Sequence, residues 1–250
     1  MLGFIYSVAS YLAFLGVFVY FAWFSDGIGV PRTVDNAPAA ALTAALAINI
    51  GLMLVFGLQH SIMARASAKR ALTRVVPARL ERATYVLASS VALALLMWQW
   101  RGVDGVLWHV QSTALAAPLW ALNALGWLGV PLCSFMIDHF DLFGLKQALN
   151  GFRKVSFERK GFVTPLLYKY VRHPMMTSLL VGLWVTPYMT VGHLLLTLGM
   201  TAYVLIGVHF EERALARELG RAYELYQATT PKFLPVGATA KPPLSDTLSS

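Results

Sequence analysis

LGFIYSVASYLAFLGVFVYFAWF, residues Leu2 to Phe24, contains no Lys, Arg, Asp or Glu. That run decides the class of fold. At 1.5 Å rise per residue, about 20 apolar residues in a helix cross roughly 30 Å of hydrocarbon. Four further stretches are also free of those four residue types: Ala39 to Met63, Thr84 to Trp100, Pro118 to Ile137 and Met175 to Phe210. The last is broken by Thr186-Pro187 and by Thr190-Val-Gly-His193, which predicts a tight helical hairpin with each arm short for a full crossing. The expected architecture is all-α: a polytopic integral membrane helical bundle of about five to six transmembrane segments, the last two forming the hairpin. A single membrane domain is expected over 1–236, followed by a small, polar, Pro-containing tail over 237–250 expected to be disordered. The first run lacks a basic n-region and an Ala-x-Ala site, so it is expected to stay as a helix.

Composition agrees. Hydrophobic residues make up 57% of the chain and charged residues 13%, about half the charge of a soluble globular domain. The single Cys133 excludes an internal disulfide and any Cys-rich metal site; inside an apolar run it reads as packing. Tryptophans 98, 100, 108, 120 and 127 fall near the expected outer ends of the runs and read as an aromatic belt.

Charge distribution fixes the orientation. The connection from Ala64 to Ala83 holds six basic residues, that from His139 to Pro174 holds seven, and Arg213, Arg217, Arg221, Lys232 and Lys241 follow; only Arg32 and Arg101 lie elsewhere. The positive-inside rule places these three regions and both termini in the cytosol. The net charge of +8 therefore reflects topology and the lipid bilayer's anionic headgroups, with no nucleic acid required.

Polar chemistry gathers in two clusters: Tyr168-Lys-Tyr-Val-Arg-His-Pro174 just before the hairpin, and His209-Phe-Glu-Glu-Arg213 with Gly220-Arg-Ala-Tyr223-Glu-Leu-Tyr226 after it. A hairpin returns the chain to the face it left, so the clusters meet at one membrane surface. Pro174 suits the first turn of a helix, leaving Arg172 and His173 at an N-terminus that favours anionic groups. The plain alternative is that these are interfacial anchors, with Glu211 or Glu212 pairing Arg213. Facing ionisable groups at a membrane more often mark a site.

These residues carry a resemblance. Arg172-His173-Pro174, a hairpin, Glu211-Glu212, Gly220-x-x-Tyr223-x-x-Tyr226 and Pro231-x-Phe233-x-Pro235 resemble the C-terminal signature of the isoprenylcysteine carboxyl methyltransferase superfamily. Met175-Met-Thr-Ser178 departs from that superfamily's usual continuation and argues against a prenyl-protein substrate. Gln59-His60-Ser61-Ile62-Met63-Ala64-Arg65, Glu81-Arg82-x-x-Tyr85 and Trp98-Gln99-Trp100 are similar to its nurim-like branch, and the whole chain resembles bacterial thiol-methylating members. The resemblance implies S-adenosylmethionine-dependent methylation of a small thiol, methanethiol to dimethyl sulfide, in a bacterial inner membrane with the site facing the cytosol. It implies no protein partner.

The implied cofactor-binding set is Tyr168, Arg172, His173, Pro174, His209, Glu211, Glu212, Tyr223 and Tyr226. Arg172 and His173 would help form the thiolate or grip the cofactor's carboxylate, with His60 as a third catalytic candidate. Glu211 or Glu212 would hold amino or ribose groups, and Tyr223 or Tyr226 would flank adenine. His109, His139 and His193 read as solvated or interfacial. The sequence contains no zinc spacing, phosphate loop or Ser-His-Asp arrangement. Three other readings compete: a methyltransferase for another small or lipid-borne acceptor, a non-enzymatic nurim-like protein, and a haem or quinone protein.

Overall fold

The computed structural model describes residues 1–153 and 163–236. The expected disordered tail 237–250 and the basic residues Lys154, Arg159 and Lys160 lie outside them. In chain order the helices are α1 (Leu2–Asp26), α2 (Leu42–Ala64), α3 (Ala66–Leu72), α4 (Glu81–Gln99), α5 (Thr113–Ile137), α6 (His139–Leu142), α7 (Leu145–Arg153), α8 (Pro174–Trp184), α9 (Val191–Leu219) and α10 (Arg221–Thr229). Two short strands, β1 (Val106–His109) and β2 (Tyr188–Thr190), pair antiparallel. Helices α1, α2, α4, α5 and α9 are long and apolar enough to cross a membrane. Their outward faces are hydrophobic, with Leu12, Leu58, Leu125 and Ile206 more than half exposed, as lipid-facing side chains must be. The protein is a polytopic helical membrane bundle.

The hairpin differs from expectation in two ways. Its arms are unequal: α8 has 11 residues, about 16 Å, whereas α9 has 29 and is a full span. Glu211 and Glu212 therefore do not end the return helix, which runs two turns beyond them. Nor is α8 packed tightly against α9; its principal neighbour is α5. Lipid offers no hydrophobic drive for helix association, so small residues that admit close backbone approach decide which helices meet. Gly126 and Gly129 of α5 face Ser178 and Gly182 of α8; a methyl group at Gly126 would stand 2.8 Å from Gly182 Cα, and one at Gly182 would stand 2.9 Å from the Trp127 ring.

Helix α8 stops because Pro187 disfavours helical geometry at Thr186, and Val185 is already extended. Its last carbonyls then lack helical partners in the buried interior of the bundle, where they must be satisfied by protein. Neighbouring helices supply the donors. Asn123 Nδ2 reaches Gly182 O at 2.8 Å and Asp26 Oδ1 at 3.0 Å. His193 Nε2 lies 2.9 Å from Leu183 O, with Thr197 Oγ1 at 3.3 Å from the same oxygen. His193 is thus 1% exposed and belongs to the interior, contrary to its interfacial reading. The chain then runs to β2, whose pairing with β1 brings the hairpin tip to the end of the bundle where α4 ends and α5 begins. Thr190 caps α9, its hydroxyl accepting from His193 N at 3.0 Å.

The main apolar core gathers towards that same end. Phe21, Phe24, Leu96, Trp100, Trp127, Leu183 and Leu196 form one cluster. Trp100 and Trp127, read as belt residues, are 0% and 7% exposed. Trp127 sits mid-helix in α5 and receives Phe18 and Phe21 edge-on, while Trp98 remains at the lipid face, 63% exposed. The opposite end of the bundle collects the N-terminus, the basic connection before α4, and α6 and α7: Gly3 and Gly151 both lie against Arg79.

Gly126→Leu should prevent α8 from docking and lower the melting temperature of detergent-solubilised protein sharply, because the obstruction is backbone that cannot yield. Gly16→Leu, with open space at its Cβ, should melt like wild type.

Candidate functional site

Arg172 and His173 precede α8 and meet Glu212 on α9. Arg172 Nε donates to Glu212 Oε1 at 2.8 Å, His173 Nε2 lies 3.1 Å from the same oxygen, and Lys232 Nζ reaches Glu212 Oε2 at 2.9 Å. Arg172 Nη1 also donates to Gln227 O at 2.9 Å and to Thr230 O. Backbone bonds run beside these, from Arg172 N to Pro231 O and from His173 N to Lys232 O. One carboxylate therefore ties the start of α8, the last third of α9 and the segment after α10 into a buckle. The Arg172 and Glu212 side chains are 10% and 9% exposed.

Glu211 behaves differently. Its neighbour turns inward, but one residue along a helix rotates the side chain by about 100°, and Glu211 is 52% exposed, 3.9 Å from His173 Nδ1. His173 thus stands between one enclosed carboxylate and one open one. With Nε2 turned to Glu212, Nδ1 faces the Glu211 side. His209 is exposed and two residues from Glu211, so the helix directs the two side chains to different faces; it is not part of this constellation.

The tyrosines are braces. Tyr223 and Tyr226 are 2% and 6% exposed, and Tyr226 Oη donates to Tyr168 O at 2.5 Å. Burial pushes the Tyr223 hydroxyl up to about 12 and raises Tyr226 and Tyr168 as well, so all three are neutral donors at physiological pH. The enclosed rings of Tyr223 and Tyr226 are turned into the fold, and the expectation that they flank adenine does not suit this placement. Pro174 is buried as the first residue of α8.

His60 lies elsewhere. Its Nε2 is 2.7 Å from Tyr85 Oη and its Nδ1 is 3.1 Å from Ser89 Oγ, both on α4. Its ring also meets Tyr203 of α9. Nine residues separate Tyr203 from Glu212, half a turn around the helix, so α9 stands between His60 and the buckle. Both ring nitrogens are engaged, and His60 ties α2 to α4.

Three features escaped sequence reasoning. Lys232 completes the Glu212 coordination, and its place inside Pro231-x-Phe233-x-Pro235 was the available signal. Tyr203 carries no sequence signal. His139 is 3% exposed rather than interfacial, bonded by Tyr11 Oη at 2.7 Å and Ser134 Oγ at 2.6 Å; a hydroxyl five residues before it was the only hint.

Comparison with known proteins matches residues 48–240 to the NnrU protein family. The chain belongs to that family. It is 48% identical to the methanethiol S-methyltransferase of Mycobacterium tuberculosis, covering 92% of this chain and 95% of that one. It is 45% identical to the methanethiol S-methyltransferase of Pseudomonas deceptionensis, over 93% and 89% of the two chains. Nurim of Sus scrofa is 34% identical over 64% of this chain and 63% of its own. No solved structure matches. In this NnrU family member the two adjacent glutamates have unlike settings, Glu212 closed and Glu211 open.

Glu212→Gln should weaken the buckle by about 3–5 kcal/mol, since Arg172 and Lys232 lose a buried partner. The expected outcome is a lower melting temperature and faster proteolysis within 227–236. Glu211→Gln should change neither.

Proposed function

We propose that this protein transfers the methyl group of S-adenosylmethionine to a small thiol, methanethiol foremost, releasing dimethyl sulfide on the cytosolic side of a bacterial inner membrane. Support comes from relatives named methanethiol S-methyltransferase at 39–48% identity across most of the chain. The observation that carries the site is the contrast between Glu212, closed in its buckle, and Glu211, half exposed beside His173.

The residues present fit the donor. Glu211 offers a carboxylate for an ammonium or ribose hydroxyl, as a charge-assisted acceptor. The first turn of α8, with the amides of Met175 and Met176 after Pro174, offers the positive end of a helix dipole to a carboxylate. S-adenosylmethionine, when bound, supplies an electrophilic methyl on a sulfonium. The chain's own task is to orient, to exclude water and to manage one proton. A thiol is nucleophilic as its thiolate, so the acceptor's S–H proton must leave. His173 Nδ1 is placed to receive it: Glu212 fixes the tautomer through Nε2, and a carboxylate on that side stabilises the imidazolium. Arg172, engaged by Glu212 and by backbone carbonyls, positions this histidine rather than touching a ligand. His60 is a positioning residue for the α2–α4 contact.

Membranes given S-adenosylmethionine and methanethiol should release dimethyl sulfide into the headspace. Glu211→Gln should weaken donor binding by about tenfold to a hundredfold, the value of one hydrogen bond to a charged group. His173→Asn should retain donor binding and lose most of the turnover. A folded wild-type protein that binds the donor but yields no dimethyl sulfide would remove the thiol from this reading, and one that binds no donor would remove the methyltransferase.

A further inference from the structure

A small apolar cavity lies beside the candidate site. It occupies about 30 Å³ between α1, α5, α6 and the first turn of α8, with Phe14, Phe18, Pro131, His139, Phe143 and Met175 among its walls. Met175 follows Pro174 and stands two residues from His173, so α8's N-terminus forms a wall of the cavity and a part of the site together. One water needs roughly 10–15 Å³ by the same measure; the space suits a ligand of about two heavy atoms.

The walls are unsuited to water. A buried water requires two to four polar partners, and His139 offers none, because Tyr11 Oη and Ser134 Oγ occupy its two nitrogens. Ser134 in turn donates to Pro131 O at 2.6 Å, which closes the network. The imidazole lies flat against Phe135, centroids 3.9 Å apart. Burial also holds the His139 imidazole below its ordinary value, leaving this wall uncharged at neutral pH. What remains facing the space is aromatic and aliphatic carbon and a thioether; the aromatic rings and the thioether favour contact with a polarisable sulfur.

We infer that this cavity is the binding site for the thiol acceptor and that its volume limits the acceptor to a single-carbon thiol. The inference rests on the thiol reading above and adds the place and the size rule. Met175 sets one limit and Val130, also at the wall, another. Met175→Ala enlarges the space next to α8, and Val130→Leu fills it with one further methylene.

The test compares kcat/KM for methanethiol, ethanethiol and 1-propanethiol in wild type and both variants, with the melting temperature of donor-free protein measured with and without methanethiol. Wild type should favour methanethiol over ethanethiol by about tenfold or more, the usual worth of one methylene in a fitted pocket. Met175→Ala should bring that ratio to within about threefold by improving ethanethiol. Val130→Leu should raise KM for methanethiol, leave S-adenosylmethionine affinity unchanged and abolish the melting shift caused by methanethiol. An unchanged chain-length profile in two folded variants would make the cavity a packing void and overturn the inference while leaving the activity intact. A wild type that methylates no thiol would count against the activity instead; the donor-free melting shift, and its loss in Val130→Leu, would still decide the cavity.

Discussion

The carboxylate of Glu212 receives Arg172 Nε and Lys232 Nζ at 2.8 and 2.9 Å, with His173 Nε2 at 3.1 Å, and three separate pieces of chain meet there. A buried acid with one cation is a fragile arrangement, because desolvation takes back most of the Coulomb energy. Three donors change the balance: both oxygens are satisfied, and Arg172 completes its own hydrogen bonding on carbonyls of Gln227 and Thr230. A fully satisfied polar network in a low dielectric is stiff. That stiffness is what lets a short α8, only 11 residues long, hold its first turn at a fixed place against α9 without packing along it.

The break in α8 creates a second constraint at the other end. Unpaired carbonyls at membrane depth are tolerated only where protein surrounds them, and Asn123, His193 and Thr197 meet that demand from α5 and α9. Those helices must therefore converge on residues 182–183, and the apolar cluster around Trp100 and Trp127 forms where they do. The apolar cluster fills the bundle towards the β1–β2 end, and the buckle and the small cavity lie at the opposite end.

Much of this was legible in the sequence, for physical reasons. Charge-free runs report spanning helices because hydrocarbon penalises every charged residue, and four of the five runs map onto single helices. Arg172, His173, Glu211 and Glu212 were placed at one surface from the logic of a returning chain, and they do meet. Pairwise roles were not legible. Adjacent glutamates look alike on paper, and only the rotation of α9 separates Glu212, turned inward, from Glu211, turned out. Unequal hairpin arms were hidden because both halves of 175–210 are equally apolar. Trp100 and Trp127 were misread because distance along a helix reports depth in the bilayer but not which face looks inward. His139 was missed for a related reason: a histidine just past an apolar run looks interfacial unless the hydroxyls of Tyr11 and Ser134, one of them 128 residues away, are known to reach it.

Two requirements of methyl transfer to sulfur pull in opposite directions. Thiol ionisation is helped by charge and by a base, whereas a small apolar acceptor is retained by a dry wall that charge would spoil. The fold separates them along α8. Residues 172–173 hold the charged side of the helix N-terminus, with cations neutralised by Glu212 and His173, the base proposed above, oriented by the same carboxylate. Met175, less than one turn further, belongs to an aromatic cavity whose only imidazole has both nitrogens capped. Capping matters because a bare His139 would draw water and lose the preference for a two-atom apolar ligand. The same Tyr11 and Ser134 bonds that engage both nitrogens of His139 set it apart from His173, whose Nδ1 faces the open carboxylate of Glu211.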